Sequence, residues 1–218
     1  MKRLVLFVEG SGDVEAAPIL ANRLLNELPA EQQGVVFVDS KPFELGGVHQ
    51  LTGKCESSWT KKLEIAKKRP NLGGVLLLLD GDQRKVEGTE FCAARVARIL
   101  AERAKSTGAG IIFSVAVVFL RQEYESMLVA AYSSLTGHRE KVAIPPKPEE
   151  APRDAKGWLS DHLEGGYRET RNQAPLTREL DFAIIRSRGF KSFGRLEHAM
   201  QELVVAIRTG IHISSPTP

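Results

Sequence analysis

Cysteine is nearly absent from this 218-residue chain. Cys55 and Cys92 are its two thiols, at a spacing that makes neither a metal nor a redox motif. A disulfide framework is thereby excluded, and the thiols fit a reducing, cytoplasmic setting. The five histidines, His49, His138, His162, His198 and His212, show no paired ligand spacing. No long hydrophobic run is present either. GGVLLLLD and IIFSVAVVFL are strand-sized and fall short of the ~20 residues a membrane helix needs. The apolar run after the basic start MKR ends at Glu9, too early for a secretory signal. A Gly-x4-Gly-Lys-Ser/Thr segment is missing, so any ATP-driven step needs a partner. Charge of one sign is also lacking: 30 lysines and arginines against 27 acids leave +3, too little to establish a nucleic-acid partner without a local basic face. What is present, 42% hydrophobic residues and 26% charged residues of mixed sign, fits a folded globular protein with no membrane association. The length suits one full α/β domain plus a smaller appendage, and leaves a homo-oligomer open.

Residues 4–8 (LVLFV) are apolar on both faces, as a buried parallel strand requires, and end at Glu9-Gly10. Ser11-Gly12-Asp13 offers an N-cap, and Val14, Ala17, Ala21, Leu24, Leu25 and Leu28 follow at helical spacing. Pro18 is acceptable there only near the first turn. A second strand is expected at 35–38, a glycine-bearing loop at 41–57, and a short helix around Trp59, Leu63 and Ala66 that stops before Pro70. The strongest strand, 74–79 (GVLLLL), delivers Asp80-Gly81-Asp82. A helix over 89–105, a strand over 111–119 and a helix over 123–135 complete a β-α-β-α-β-α-β-α order. That order implies a doubly wound, mainly parallel sheet in a Rossmann-like α/β domain over 1–135. Residues 136–218 change character: a proline-rich arm at 140–153, then helices at 153–163, 177–187 and 195–208 with no strand signal, read as a helical extension packing on the first domain.

In an open parallel sheet, functional groups gather at the carboxyl ends of the strands. Glu9 lies there after the first strand, and Asp80 and Asp82 after the third. The period of two lets the aspartates face the same way, and Gly81 between them removes a side chain that would crowd a ligand. Unit charges 4 Å apart repel by about 1 kcal/mol in water and about 4 at an effective dielectric of 20. The three acids therefore call for protonation or a cation, and oxygen ligands favour Mg²⁺ or Mn²⁺ over zinc. Each acid has a plainer reading as well, since Asp-Gly-Asp makes turns and helix caps and Glu-Gly occurs in many loops. The order of the three, on successive buried strands, makes the constellation specific.

These residues resemble the TOPRIM signature of topoisomerases, primases and OLD-type nucleases: a glutamate-glycine after the first strand, then a strand ending in Asp-x-Asp. VEGSGDVEAAPIL, LLLLDGD, RQEYESMLVAA, RDAKGWL, the Tyr167-Arg168-Glu169-Thr170 stretch and KSFGRL are together similar to a bacterial TOPRIM-like group filed as domain-of-unknown-function family 4276. The resemblance implies metal-dependent phosphodiester chemistry on DNA or RNA. It gives Glu9 proton transfer or metal binding, and gives Asp80 and Asp82 the Mg²⁺. It adds Asp13 and Glu125, with Glu123 beside it, as further metal ligands. It also implies an ABC/AAA-type ATPase partner in a phage-defence setting, or alternatively a metal-binding adaptor of such an ATPase with no catalysis of its own. Asp13 equally fits a helix cap, and Glu123 and Glu125 fit a solvated first helical turn favoured by the helix dipole. A topoisomerase is disfavoured for want of a large tyrosine-bearing domain, and a primase for want of zinc-binding and helicase-binding regions.

A phosphate substrate also needs cations. Lys156, in a segment whose Trp158 should be packed, is the candidate for a catalytic lysine, against a plain surface lysine. Arg186, Arg188, Lys191 and Arg195, interleaved with Phe190 and Phe193 and free of acids, suit a phosphate backbone with stacked bases. The alternative has both phenylalanines anchoring the tail.

Overall fold

The computed structural model describes residues 1–52, 57–86 and 88–216; Cys55 lies outside them. β1 (Lys2–Val8) and α1 (Ser11–Asn26) are followed by the short strands β2 (Val36–Val38) and β3 (Phe43–Glu44), α2 (His49–Thr52) and α3 (Ser57–Lys67). Then come β4 (Leu72–Asp80), a small hairpin of β5 (Lys85–Val86) and β6 (Thr89–Glu90), α4 (Ala93–Lys105), β7 (Ser114–Leu120) and α5 (Glu125–Ala130). The remainder contributes α6 (Ala155–His162), α7 (Glu169–Glu179), α8 (Phe182–Ser187), α9 (Lys191–Thr209) and β8 (Ser214–Pro216).

The architecture is α/β around a mainly parallel sheet of order β2-β1-β4-β7-β8, with β3 also pairing to β1. Apolar runs without polar alternation put β1, β4 and β7 in the middle, where both faces are covered. Register aligns their carboxyl ends: Val8 pairs with Leu78, and Leu78 with Val118. Glu9, Asp80 and the residues after Leu120 therefore emerge along one edge. Alternate side chains feed two cores. Leu4, Leu6, Leu76, Leu78, Ala116 and Val118 pack with α1, α5 to α9 and their connections, while Val5, Phe7, Val75, Leu77, Val115 and Val117 pack with α2, α3 and α4. The Trp59 indole N–H is satisfied by the Leu100 carbonyl at 2.9 Å.

Several expectations need correction. Pro18 lies well inside α1; the expected stripe does face the core, with Ala17, Ala21 and Leu24 buried and Val14, Leu25 and Leu28 partly so, and the buried face also takes in Gly12, Asp13, Ala16 and Leu20. The 41–57 segment holds β3 and α2 among its described residues, and the helix expected over 123–135 is only α5 followed by a 3-10 turn at 132–134. Helix α7 begins eight residues before the 177–187 segment read as helical, despite Pro175 in its interior. The tail does contain a strand: β8 pairs in parallel with β7, Val115 opposite Ser214.

Gly81 also has a packing role. A Cβ there would lie 2.3 Å from the Leu120 carbonyl oxygen, so glycine allows the β4 exit to pass against the β7 exit. Its N–H donates to the Gln122 carbonyl at 2.7 Å.

The proline-rich arm is fastened to the rest. Glu149 is buried, and its carboxylate accepts from the Lys191 and Ser192 N–H groups and the Ser192 hydroxyl at 2.9–3.1 Å, capping the first turn of α9. Replacing Glu149 by alanine leaves those donors unpaired. The expected cost is about 1–2 kcal/mol, read as a shift in urea midpoint at unchanged slope.

Candidate functional site

Glu9 follows β1 and Asp80 ends β4, so neighbouring strands bring them together. Glu9 Oε2 accepts from the Asp80 N–H at 3.2 Å. Burial, then the charges of Asp82 and Asp13, push the Glu9 carboxyl up to about 7 despite that hydrogen bond. Asp80 is raised as well, first by burial and then by repulsion from Asp13, Glu125 and Glu9.

Asp13 is not the N-cap of α1, a place Gly10 takes; it lies in the first turn and reaches back to that cap. One oxygen accepts from the Gly10 N–H at 3.2 Å and the other from Gln173 Nε2 at 2.7 Å, while burial raises its pKa. Glu125 contradicts the solvated-turn reading. It is 1% exposed, accepts from the Tyr167 hydroxyl at 2.8 Å, and is pushed by burial to about 7. Glu123 is half-buried, and accepts from the Ala155 N–H at 2.9 Å at the start of α6. Asp82 is exposed on the loop after β4, beside Gln83, and its charge reaches Glu9 and Glu123.

Lys156 is not a plain surface lysine. Its ammonium lies 2.8 Å from Glu169 and 3.8 Å from Glu125, and its charge also reaches Glu9, Asp13, Asp80 and Glu123. Burial works against that charge, but the surrounding carboxylates outweigh it and hold the pKa above the ordinary lysine value. α6 places this lysine, with Asp154 accepting from the Gly157 N–H at 2.7 Å as its N-cap. Trp158 is packed as expected, stacked on His162 and edge-on to Tyr132.

Tyr167, Glu169 and Gln173, on and just before α7, are site residues that sequence reasoning passed over. The Tyr-Arg-Glu-Thr stretch was the only signal, and it carried no role. α7 reaches the acids because Gly12 faces it: a Cβ there would lie 2.3 Å from both Gln173 Oε1 and Glu169 Cγ.

The basic segment near the end lies elsewhere. Arg186 is ion-paired with Glu27 and Glu197, at the far end of α1 from Asp13. Phe190 and Phe193 are buried, so neither offers a ring for base stacking and both anchor the tail. Lys191 is exposed and Arg188 and Arg195 are half-exposed.

Compared with known protein families, curated proteins and solved structures, the chain matches none.

The donor set is oxygen-only with an excess of negative charge, which suits a hard divalent cation. Among the described residues, no three acids, imidazoles or thiols stand close enough together to hold one ion as they are placed. Mg²⁺ commonly uses one or two carboxylates together with water and substrate phosphate, so Asp80 with Glu9 or Asp82 meets that smaller requirement.

Glu9 and Glu125 shift from an ordinary 4.5 to about 7. The folded chain therefore holds more protons than the unfolded chain across that window, and stability falls as pH rises through it. His212, held below its ordinary value by burial and Lys2, acts in the opposite direction. The informative comparison is thus parent against Glu125→Gln, which keeps an acceptor for Tyr167 without the charge. In EDTA, Glu125→Gln should melt higher than the parent at pH 8 and nearly level with it at pH 5. Parallel melting curves across that range would show that Glu125 is not titrating there.

Proposed function

We propose that the chain is a phosphodiesterase of the TOPRIM type, dependent on Mg²⁺ or Mn²⁺ and acting on DNA or RNA. The observation that carries this reading is the convergence of Glu9, Asp13, Asp80 and Glu125 around Lys156 at the carboxyl edge of a parallel sheet. Groups displaced toward neutral pKa in such a place are suited to proton transfer and cation binding. The neighbouring placement of β1 and β4 supports the TOPRIM likeness, which otherwise rests on the motifs themselves.

Each residue then has a task. Glu9, near 7, is poised to take or give a proton at physiological pH, and its bond to the Asp80 N–H fixes its orientation. Asp80, with Glu9 or Asp82, would hold the cation, which supplies Lewis-acid polarisation of the phosphoryl oxygen. Lys156 remains charged and offers its ammonium to a non-bridging phosphate oxygen, and Glu169 and Glu125 set its position. Tyr167 and Gln173 steady Glu125 and Asp13. The chain lacks a P-loop of the Gly-x4-Gly-Lys-Ser/Thr form, so any ATP-driven step falls to a separate ATPase.

Calorimetric titration with Mn²⁺ should show binding by the parent and at least about tenfold weaker binding by Asp80→Asn, since a direct ligand should matter no less than the 10–100-fold of an outer-shell partner. Glu9→Gln should lower Mn²⁺-dependent cleavage about 10²–10⁴-fold, the scale of a lost general acid or base. A parent that binds no Mn²⁺ at millimolar concentration overturns the reading. Cleavage unaffected by Glu9→Gln removes Glu9 from the chemistry.

A further inference from the structure

Beside Asp82 the edge of the sheet opens into a cleft of about 700 Å³. Three separate segments wall it: the loop after β4 with Asp82 and Arg84, the turn after β7 with Arg121 and Gln122, and the fastened arm with Glu150 and Arg153. Phe91, at the end of the β5–β6 hairpin, lines it as well. The size falls within the ~300–1,000 Å³ of typical ligand sites.

The charges are unevenly committed. Arg121 pairs with Glu150 at 3.1 Å, whereas Arg84 and Arg153 are exposed and have no side-chain partner among the described residues. Phe91 meets Phe119 at a ring separation of 5.5 Å and stays half-buried, leaving part of its ring toward the cleft. Gln122 donates through Nε2 to the Glu150 carbonyl at 2.5 Å, while its Oε1 is buried with no hydrogen-bond partner.

Guanidinium groups match phosphate oxygens, and an aromatic face matches a base. The cleft also holds Asp82, Glu90 and Glu150, so its arginines are balanced by acids and it is no uniformly basic track for a duplex backbone. A base inside a duplex is stacked on its neighbours and cannot lie against Phe91 without leaving the stack.

We propose that this cleft seats an unpaired stretch of one or two nucleotides of DNA or RNA beside the acids, with phosphates on Arg84 and Arg153 and a base against Phe91. This rests on the phosphodiesterase reading above and adds its substrate class: single-stranded nucleic acid, or duplex with an unpaired end or flap.

Fluorescence anisotropy tests it with fluorescein-labelled dT12, rU12 and a blunt 12-base-pair duplex, in Ca²⁺ and in EDTA. The parent should bind one or both single strands at least tenfold more tightly than the duplex. Arg84→Ala/Arg153→Ala should weaken single-strand binding at least tenfold and flatten its salt dependence. Phe91→Ala should weaken it without changing the salt slope, and melting curves check that each variant is folded. If Phe91→Ala does not fold, the exposed arginine pair decides alone. Equal affinity for duplex and single strands, no binding of either strand, or an unaffected arginine variant overturns the proposal. So does free dTMP competing as well as dT12, which marks a mononucleotide site. Failure of the phosphodiesterase reading looks different: single strands still bind through Arg84 and Arg153, but no Mn²⁺-dependent cleavage follows.

Discussion

Like charges are gathered at one edge of the sheet, and much of the rest of the molecule is arranged around keeping them there. Glu9, Asp13, Asp80 and Glu125 each gain from losing their proton less than they would in water, because burial and mutual repulsion oppose it. The ammonium of Lys156 is the countercharge that reaches all four. Lys156 in turn is held by Glu169, from a different helix. A set of acids supplied by the first 130 residues is therefore compensated by groups beyond residue 150. This attraction spans the chain and adds to the apolar packing that already holds the tail helices against the sheet.

The second constraint is close approach. α7 can bring Glu169 and Gln173 to the acids only because Gly12 leaves room, and the β4 exit can cross beside β7 only because Gly81 does. Both glycines sit within motifs first read for chemistry. They also let backbone and side chains come together, so that carboxylates on different elements share one space.

Much of this was legible from the residues, and the remainder was hidden for identifiable reasons. The runs at 4–8 and 74–79 declare buried parallel strands because nothing polar interrupts them, and that alone puts Glu9 and Asp80 on one edge. Glu125 was harder: a glutamate at a helix start normally faces water, and its burial depends on Tyr167, far along the chain. α7 is polar and contains Pro175, so its period gave little signal, and its inward face is Gln173, Ala174, Leu176 and Thr177, only two of them apolar. β8 is Ser-Ser-Pro, without one β-branched residue, and is a strand because β7 offers it an unpaired edge. The basic tail suggested a nucleic-acid surface because the acids that pair with Arg186 lie outside the segment, Glu197 just beyond it and Glu27 at the end of α1.

The position of β8 has a consequence for biosynthesis. β7 is complete at Leu120, yet the strand that covers its outer edge is made about 90 residues later, roughly 5–20 s at translation rates of about 5–20 residues per second. Through that interval the nascent chain carries an open, apolar strand edge of the kind that templates aggregation. It also carries clustered carboxylates before Lys156 and Glu169 have arrived.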